Sequence, residues 1–218
     1  MLKGLIILFI CLAVNLHGEN KMIKLPKPST KSDVSLEETL ASRRSVRQYK
    51  ATALDMAKIS QLLWAGQGIT NSRNFRTAPS AGATFPLDLY ILIGISDTIS
   101  PGLYRYYPEE QALSLIREGD LRTDLAAVAL NQPMVKKAPV TIIFSATYSK
   151  TTSRYGDRGV MYVHNEVGHA AQNIYLQCET LGLGTVAIGA FDDDKANRFM
   201  EFPQGKEVVY MMPVGYVK

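Results

Sequence analysis

Apolar residues return every three or four positions between Val163 and Leu181. Val163, Val167, Ala170, Ala171, Ile174, Cys178 and Leu181 form one stripe, while Asn165, Glu166, Gln172, Asn173 and Glu179 lie off it. The spacing predicts an amphipathic helix of about 28 Å, long enough to cross a small domain. Gly182 and Gly184 stop it, because glycine tolerates the positive φ of a C-cap. Thr185 to Ile188 predicts a short buried strand. Gly189-Ala190 leaves the backbone open to close approach, and Asp192 is placed as the N-cap of a final helix.

Upstream, Ser35-Leu36-Glu37-Glu38 is a capping box. The helix it opens carries Leu36 and Leu40 and is expected to run on through Arg43-Arg44-Ser45-Val46-Arg47-Gln48-Tyr49. A second helix carries Leu54, Ile59, Leu62, Leu63 and Trp64 and stops at Gly66 or Gly68. Thr77 to Pro86 is too small and proline-bounded for a regular element and predicts a loop. Leu87 to Gly94 predicts a strand. Leu103 to Tyr107 and Ala112 to Ile116 predict a hairpin about Pro108-Glu109-Glu110. Asp120 is expected to cap a short helix to about Leu130, and Val140 to Ala146 is a buried strand. Tyr148 to Arg158 is polar without period, a mobile segment beside a site. Glu207 to Met212 and Val214 to Val217 form a last strand interrupted by Pro213, which suits an edge or a bulge. Helices and strands alternate without regular βαβ units, so the class is α+β.

Length and composition bound the rest. A chain of 218 residues, 46% hydrophobic and 20% charged, holds one sizeable domain. Residues 1–18 differ in kind: Lys3 precedes an apolar run from Leu5 to Leu16, shorter than the roughly twenty residues of a bilayer span. They read as a signal peptide and so predict an exported protein, periplasmic or extracellular; an uncleaved membrane anchor is the alternative. Residues 19–34, with two prolines among polar residues, read as an exposed N-terminal arm, and 35–218 as the folded domain. A net charge of +4 does not call for nucleic acid. Loss of Cys11 with the signal peptide leaves Cys178 alone on the apolar stripe, a core thiol without a disulfide partner.

Chemistry is sparse. Arg43, Arg44 and Arg47 put three guanidiniums around Ser45. Such a group either grips an anion such as phosphate or forms a solvated basic helix end, and composition leaves both open. Gly182-Leu183-Gly184-Thr185-Val186-Ala187 matches a relaxed dinucleotide pattern, but the order is helix then strand, so it is a helix stop. His164 and His169 are five apart and turn away from each other on a helix, so no metal site is expected. Asp192-Asp193-Asp194 is a helix start, and no serine lies in G-x-S-x-G. With few acids, bases or nucleophiles, the pattern suggests a bound cofactor that does the chemistry while the protein supplies a cradle.

These residues carry a resemblance. Arg43-Arg44-Ser45-Val46-Arg47 resembles the R-R-S-x-R signature of the FMN-dependent nitroreductase superfamily, and Pro79 to Pro86 resembles its P-S-A-G-x-x-x-P loop. Gly168 to Asn173, Leu181 to Gly184, Ile188 to Asp193 and Pro213-Val214-Gly215-Tyr216 follow in the family's order. Leu103-Tyr104-Arg105-Tyr106 is similar to the hairpin of the SagB/ThcOx-type dehydrogenases. The resemblance implies a nitroreductase-like fold, a mainly antiparallel sheet flanked by helices, in an intertwined homodimer with FMN at the interface. It implies that Arg43, Arg44 and Ser45 hold the phosphate and ribityl end and that Arg47 sits by N1 and O2. Pro79, Ser80, Ala81 and Gly82 would line the ring from the partner subunit, and Ile188, Gly189 and Ala190 would bring backbone amides to the N5/O4 edge. Small Gly168, Ala170 and Ala171 would suit a close helix contact between subunits. Many relatives have a basic residue beyond the P-x-G-Y segment; the sequence reaches only Lys218, so that contact is expected to be absent or replaced.

The implied activity passes a hydride through flavin N5, from NAD(P)H or an organic substrate to an acceptor such as a nitroaromatic or quinone. Azoline dehydrogenation in peptide maturation and non-enzymatic flavin binding are the alternatives. Tyr155 and Arg158 are the substrate-side candidates. No side-chain acid or base is expected to assist, so rate would come from the flavin, its positioning and Arg47.

Overall fold

A computed structural model describes residues 22–218. The signal-peptide reading of residues 1–18 lies outside the described residues.

The centre of the molecule is a pair of strands buried on both faces. β5 (Val140–Thr147) is apolar almost throughout and pairs with β2 (Leu87–Ile93) on one side and β7 (Lys206–Tyr216) on the other. With β1 (Ile23–Lys24), β3 (Gly102–Tyr107), β4 (Ala112–Glu118) and β6 (Leu183–Thr185) they form one antiparallel sheet in the order β1-β4-β3-β2-β5-β7-β6. Alternation along the strands sends successive side chains to opposite faces. Ile91, Ile142 and Phe144 pack under α2 (Met56–Gln67) and α6 (Arg158–Thr180). Leu92, Ile143 and Met211 pack under α3 (Arg122–Val128), α4 (Pro133–Lys137) and α7 (Asp193–Met200). A sheet covered twice needs apolar residues at every position, which is why β2 and β5 read as continuous runs. The α+β architecture expected from the sequence, an antiparallel sheet flanked by helices, is the one observed.

The long helix is α6, four turns of whose apolar stripe are buried: Val163, Val167, Ala170, Ala171, Ile174 and Cys178. Burial also pushes the Cys178 thiol far above its ordinary pKa, which keeps it protonated and inert. The capping box at Ser35 forms, with Ser35 Oγ accepting from Glu38 N at 3.1 Å and Glu38 Oε2 accepting from Ser35 N at 2.7 Å. Asp192 caps α7 by accepting from Lys195 N at 2.9 Å.

Several expectations fail for physical reasons. α1 (Leu36–Ser42) stops before the arginines. Residues 22–34 are largely exposed, and within them β1 pairs with β4, Leu25 is buried, and Gln61 bonds both the N–H and the carbonyl of Ser29. The segment read as mobile contains α5 (Ser149–Tyr155), and α6 begins at Arg158. Asp120 does not cap a helix through N3; it accepts from Arg122 N and pairs with that side chain at 2.7 Å. The strand expected over residues 185–188 ends at Thr185, with Ile188 bridged separately to Met211.

Pro213 lies inside the sheet, in an unbroken β7. Its carbonyl faces the β6 side, where it accepts from Thr185 Oγ1 at 2.9 Å and meets the Tyr49 hydroxyl at 3.0 Å. The missing N–H faces the same way, beyond the end of β6, so no ladder bond is lost.

Gly184 on β6 is a close-approach glycine: a Cβ there would stand 2.7 Å from Val46 Cβ. Gly184→Ala is expected to lower stability by about 1–3 kcal/mol, the usual cost of overpacking, in urea unfolding. An unchanged midpoint would mean that the Val46 segment is not held against β6.

Candidate flavin site

The three arginines are not on a helix. Arg43 leaves α1 at φ −47° and ψ 123°, and the chain runs on extended. The cause is the edge of the sheet. β6 is the last strand, with unpaired backbone groups on its outer side, and Ser45 bridges it in parallel opposite Thr185. Val46 N donates to Thr185 O at 2.8 Å. Sheet hydrogen bonds thus override the helical propensity of Arg43 to Gln48.

Stretching the segment spreads its charges. Arg44 Nη1 turns back to the carbonyls of Ala41 and Arg43, at 3.1 and 2.8 Å, at the end of α1. The Arg43 guanidinium stacks 5.2 Å from the centre of the Tyr175 ring. Arg47 is exposed. Among the described residues none of the three forms an ion pair, so three positive charges lie uncompensated beside an exposed serine hydroxyl. That donor set fits a phosphate.

Tyr175, absent from the sequence reading, joins this group to the next. Its hydroxyl accepts from Ala187 N at 2.7 Å and lies 3.2 Å from Ser45 Oγ. Beyond it, Ile188 N is already committed to Met211 O at 2.8 Å, so the expectation of a free amide at Ile188 is corrected. Gly189 and Ala190 are exposed, and among the described residues their N–H groups have no partner. Ala190 is steadied through its carbonyl, which accepts from Gln132 Nε2 at 2.8 Å. The Tyr210 ring lies 3.4 Å from where a Gly189 Cβ would stand, closing one side and leaving the other open. The structure therefore gathers Arg43, Ser45, Ile188, Gly189 and Ala190 around the C-terminal half of α6.

Pro79, Ser80, Ala81 and Gly82 lie elsewhere. Asn173 Nδ2 of α6 donates to Thr77 O at 3.1 Å and anchors the start of their loop. Ser80 Oγ accepts from Phe85 N at 3.0 Å, and Gly82 turns with φ 58°. α5 clamps the loop from outside: Arg154 Nη1 donates to Gly82 O at 3.1 Å and Lys150 Nζ to Phe85 O at 3.3 Å. Tyr155 stands so close that a Cβ on Gly82 would lie 2.5 Å from its hydroxyl. Its ring meets Tyr162 edge-on at 5.2 Å, and Arg158 lies 5.9 Å above the Tyr162 ring. Both substrate-side candidates thus border this loop.

Beneath it is a cavity of about 260 Å³ lined by Pro79, Ser80, Ala81, Tyr162, Asn165, Glu166 and His169. Glu166 is only 2% exposed, and its Oε1 has no hydrogen-bond partner. Desolvation pushes its pKa up to about 7, against the opposing pull of Ser80, Arg76, Gln67 and Lys150. No periodicity could have signalled this, since Glu166 was assigned to the polar side of the helix. Glu166 and Tyr175 are nine residues apart, roughly 13 Å along α6. Within one chain the loop and the arginine segment do not meet.

Tyr175→Phe leaves the Ala187 N–H without an acceptor and is expected to cost about 1–3 kcal/mol in chemical denaturation. Glu166 gives a pH signature. Between its ordinary value of 4.5 and about 7, the unfolded chain gives up a proton that the folded chain keeps, so stability falls as pH rises through that window. The slope is at most about 1.4 kcal/mol per pH unit, and Glu166→Gln should remove it; equal slopes in wild type and variant would show that the carboxyl is ionised normally.

Residues 40–216 match the Nitroreductase family. A protein of Methanocaldococcus jannaschii, provisionally named a nitroreductase, is 40% identical over 198 residues, 91% of this chain and 98% of that one. A crystal structure of a protein from Ralstonia eutropha, also provisionally named a nitroreductase, superposes with a TM-score of 0.79 at 28% identity, covering 92% of each chain. The NADPH:FMN oxidoreductase of Vibrio harveyi, solved with NAD+, shares the fold with a TM-score of 0.62 at 19% identity, over 84% of this chain and 69% of that one. The chain belongs to the Nitroreductase family and is an oxidoreductase of flavin type.

Proposed function

We propose that this chain is an FMN-dependent oxidoreductase that works as a homodimer. The observation that carries the reading is the division of the site. Each chain holds a cationic half (Arg43, Arg44, Ser45, Arg47, Gly189, Ala190) and a loop half (Pro79 to Gly82 over its cavity), separated along α6. A two-fold axis places the same two patches of both subunits against each other and so completes two sites at once. Apolar residues left exposed nearby support a contact there: Leu36 and Leu40 on α1, 58% and 54% exposed, and Val160 and Met161 on α6. Ala170 and Ala171, expected at that contact, are buried inside the chain itself; Gly168 is the small residue that faces open space.

FMN bound between the halves would supply two-electron hydride chemistry at N5, fed by NAD(P)H or an organic substrate and drained by an acceptor such as a nitroaromatic or quinone. The chain's own residues bind and orient. Arg43, Arg44 and Ser45 offer charge-assisted donors to the phosphate, and Arg47 offers positive charge to the pyrimidine side of the ring. The free N–H groups of Gly189 and Ala190 offer donors to its reactive edge. The partner's Pro79–Gly82 loop covers the ring and keeps water out. A signal peptide over residues 1–18 would place this chemistry outside the cytoplasm. A second reading, dehydrogenation of an azoline in a peptide, is favoured by Tyr155, whose hydroxyl borders Gly82 in the loop that would cover the ring.

The purified chain is expected to run as a dimer and to bind FMN at micromolar concentration, one per subunit, with the bound flavin bleaching on anaerobic addition of NAD(P)H. Arg43→Ala should weaken FMN about 10- to 100-fold, the worth of one charged hydrogen bond, in fluorescence titration. A colourless protein that refuses added FMN overturns the reading. Flavin bleached by an azoline peptide but not by NAD(P)H selects the second one.

A further inference from the structure

Glu166 has no part in holding the flavin as assigned above, yet it is a buried acid with an unpartnered carboxyl oxygen. Burial strips the carboxyl of hydration, and its Oε1 finds no hydrogen-bond partner to offset that loss. Its surroundings are orphaned too: Nε2 of Gln67, at the end of α2, and Nε of Arg76, in the strand-free segment leading to Pro79, also lack partners. Two donors and one acceptor without partners beside one another make a polar pocket suited to bridging water.

The charges facing Glu166 come from three directions. Arg76 and Lys150 are the cations, from the segment before Pro79 and from α5; Tyr162 and His169, on its own helix, line the same cavity, and Ser80 and Gln67 are neutral neighbours. Neither cation neutralises it directly. Arg76 is engaged by Glu109 at 2.6 Å and by Gln67 O at 3.0 Å, and Lys150 by Phe85 O. The carboxyl is left between two protonation states, with an open cavity on one side.

We propose that Glu166 is the proton-exchanging residue of the cavity under the Pro79–Gly82 loop, serving an acceptor of quinone or nitro type that binds there. The inference rests on the flavin reading above, which supplies the hydride. Reducing a quinone takes one hydride and one proton. The O–H bond of the Glu166 carboxyl breaks as the O–H bond of the product forms, and the carboxylate recovers its proton from water through the cavity mouth. The raised pKa of Glu166 matches that duty, since a donor titrating near neutral pH is both charged with a proton and able to release it.

The test has two parts, and the first needs no flavin. Infrared difference titration of the apo-protein should show a carboxylic C=O band that disappears with a midpoint near pH 7, and Glu166→Gln should lack that band. The second part uses the FMN-loaded enzyme with benzoquinone as acceptor. Wild-type kcat is expected to fall above neutral pH, while Glu166→Gln turns over about 100-fold more slowly with that limb removed and FMN affinity retained. A wild-type band that titrates in the ordinary carboxyl range overturns the proposal, whether or not the variant folds. So does a pH limb that persists in Glu166→Gln. Failure of both proteins to bind FMN overturns the flavin reading, which the proposal needs; the infrared titration then reports only whether Glu166 is a neutral-pH acid.

Discussion

The apolar face of α6, pressed onto the sheet, is the contact that sets every other distance in the functional part of the chain. Val163, Val167, Ala170, Ile174 and Cys178 lock the helix against β5 and β7 over four turns, and polar residues on its flanks then act as fixed brackets. Asn173 holds the loop that leads to Pro79, Tyr175 holds Ser45 and Ala187, and Glu166 reaches under Ser80. A packed helix rotates or slides only at the cost of its whole interface, so these brackets keep their spacing.

The same rigidity explains why the arginine segment and the Pro79–Gly82 loop stay apart within one chain. The arginine segment is captured by the exposed edge of β6, whereas the proline-bounded loop is clamped between α5 and α6. Both captures satisfy backbone groups that would otherwise be left open, so neither segment is free to swing toward the other. In the dimer proposed above a second copy would close the gap, and the uncovered Leu36, Leu40, Val160 and Met161 are apolar surface of the kind it would cover.

Electrostatics divides the halves in the opposite sense. The cationic half is exposed, and among the described residues its arginines form no ion pair, which suits a ligand that brings its own negative charge. The loop half holds a carboxyl that burial pushes toward neutrality. A cluster of exposed cations and a buried carboxyl are thereby kept apart by the length of about two and a half helical turns.

By itself the sequence determined the local elements and the family. The period from Val163 to Leu181, the capping box at Ser35, the hairpin about Pro108 and the R-R-S-x-R and P-S-A-G motifs were legible because each depends on neighbours in the chain. Tertiary structure alone decided which backbone groups were free. Arg43 to Arg47 read as helix until the edge of β6 offered better hydrogen bonds, and Ile188 read as a donor until Met211 took its N–H. Pro213 read as an edge or a bulge, and only the tertiary structure showed that β6 stops short of it and leaves open the side its missing N–H would face. Glu166 lay off the apolar stripe, and periodicity cannot see a loop folding over the polar side of a helix. Long-range pairing and burial depend on residues far away in sequence, and no local pattern contains them.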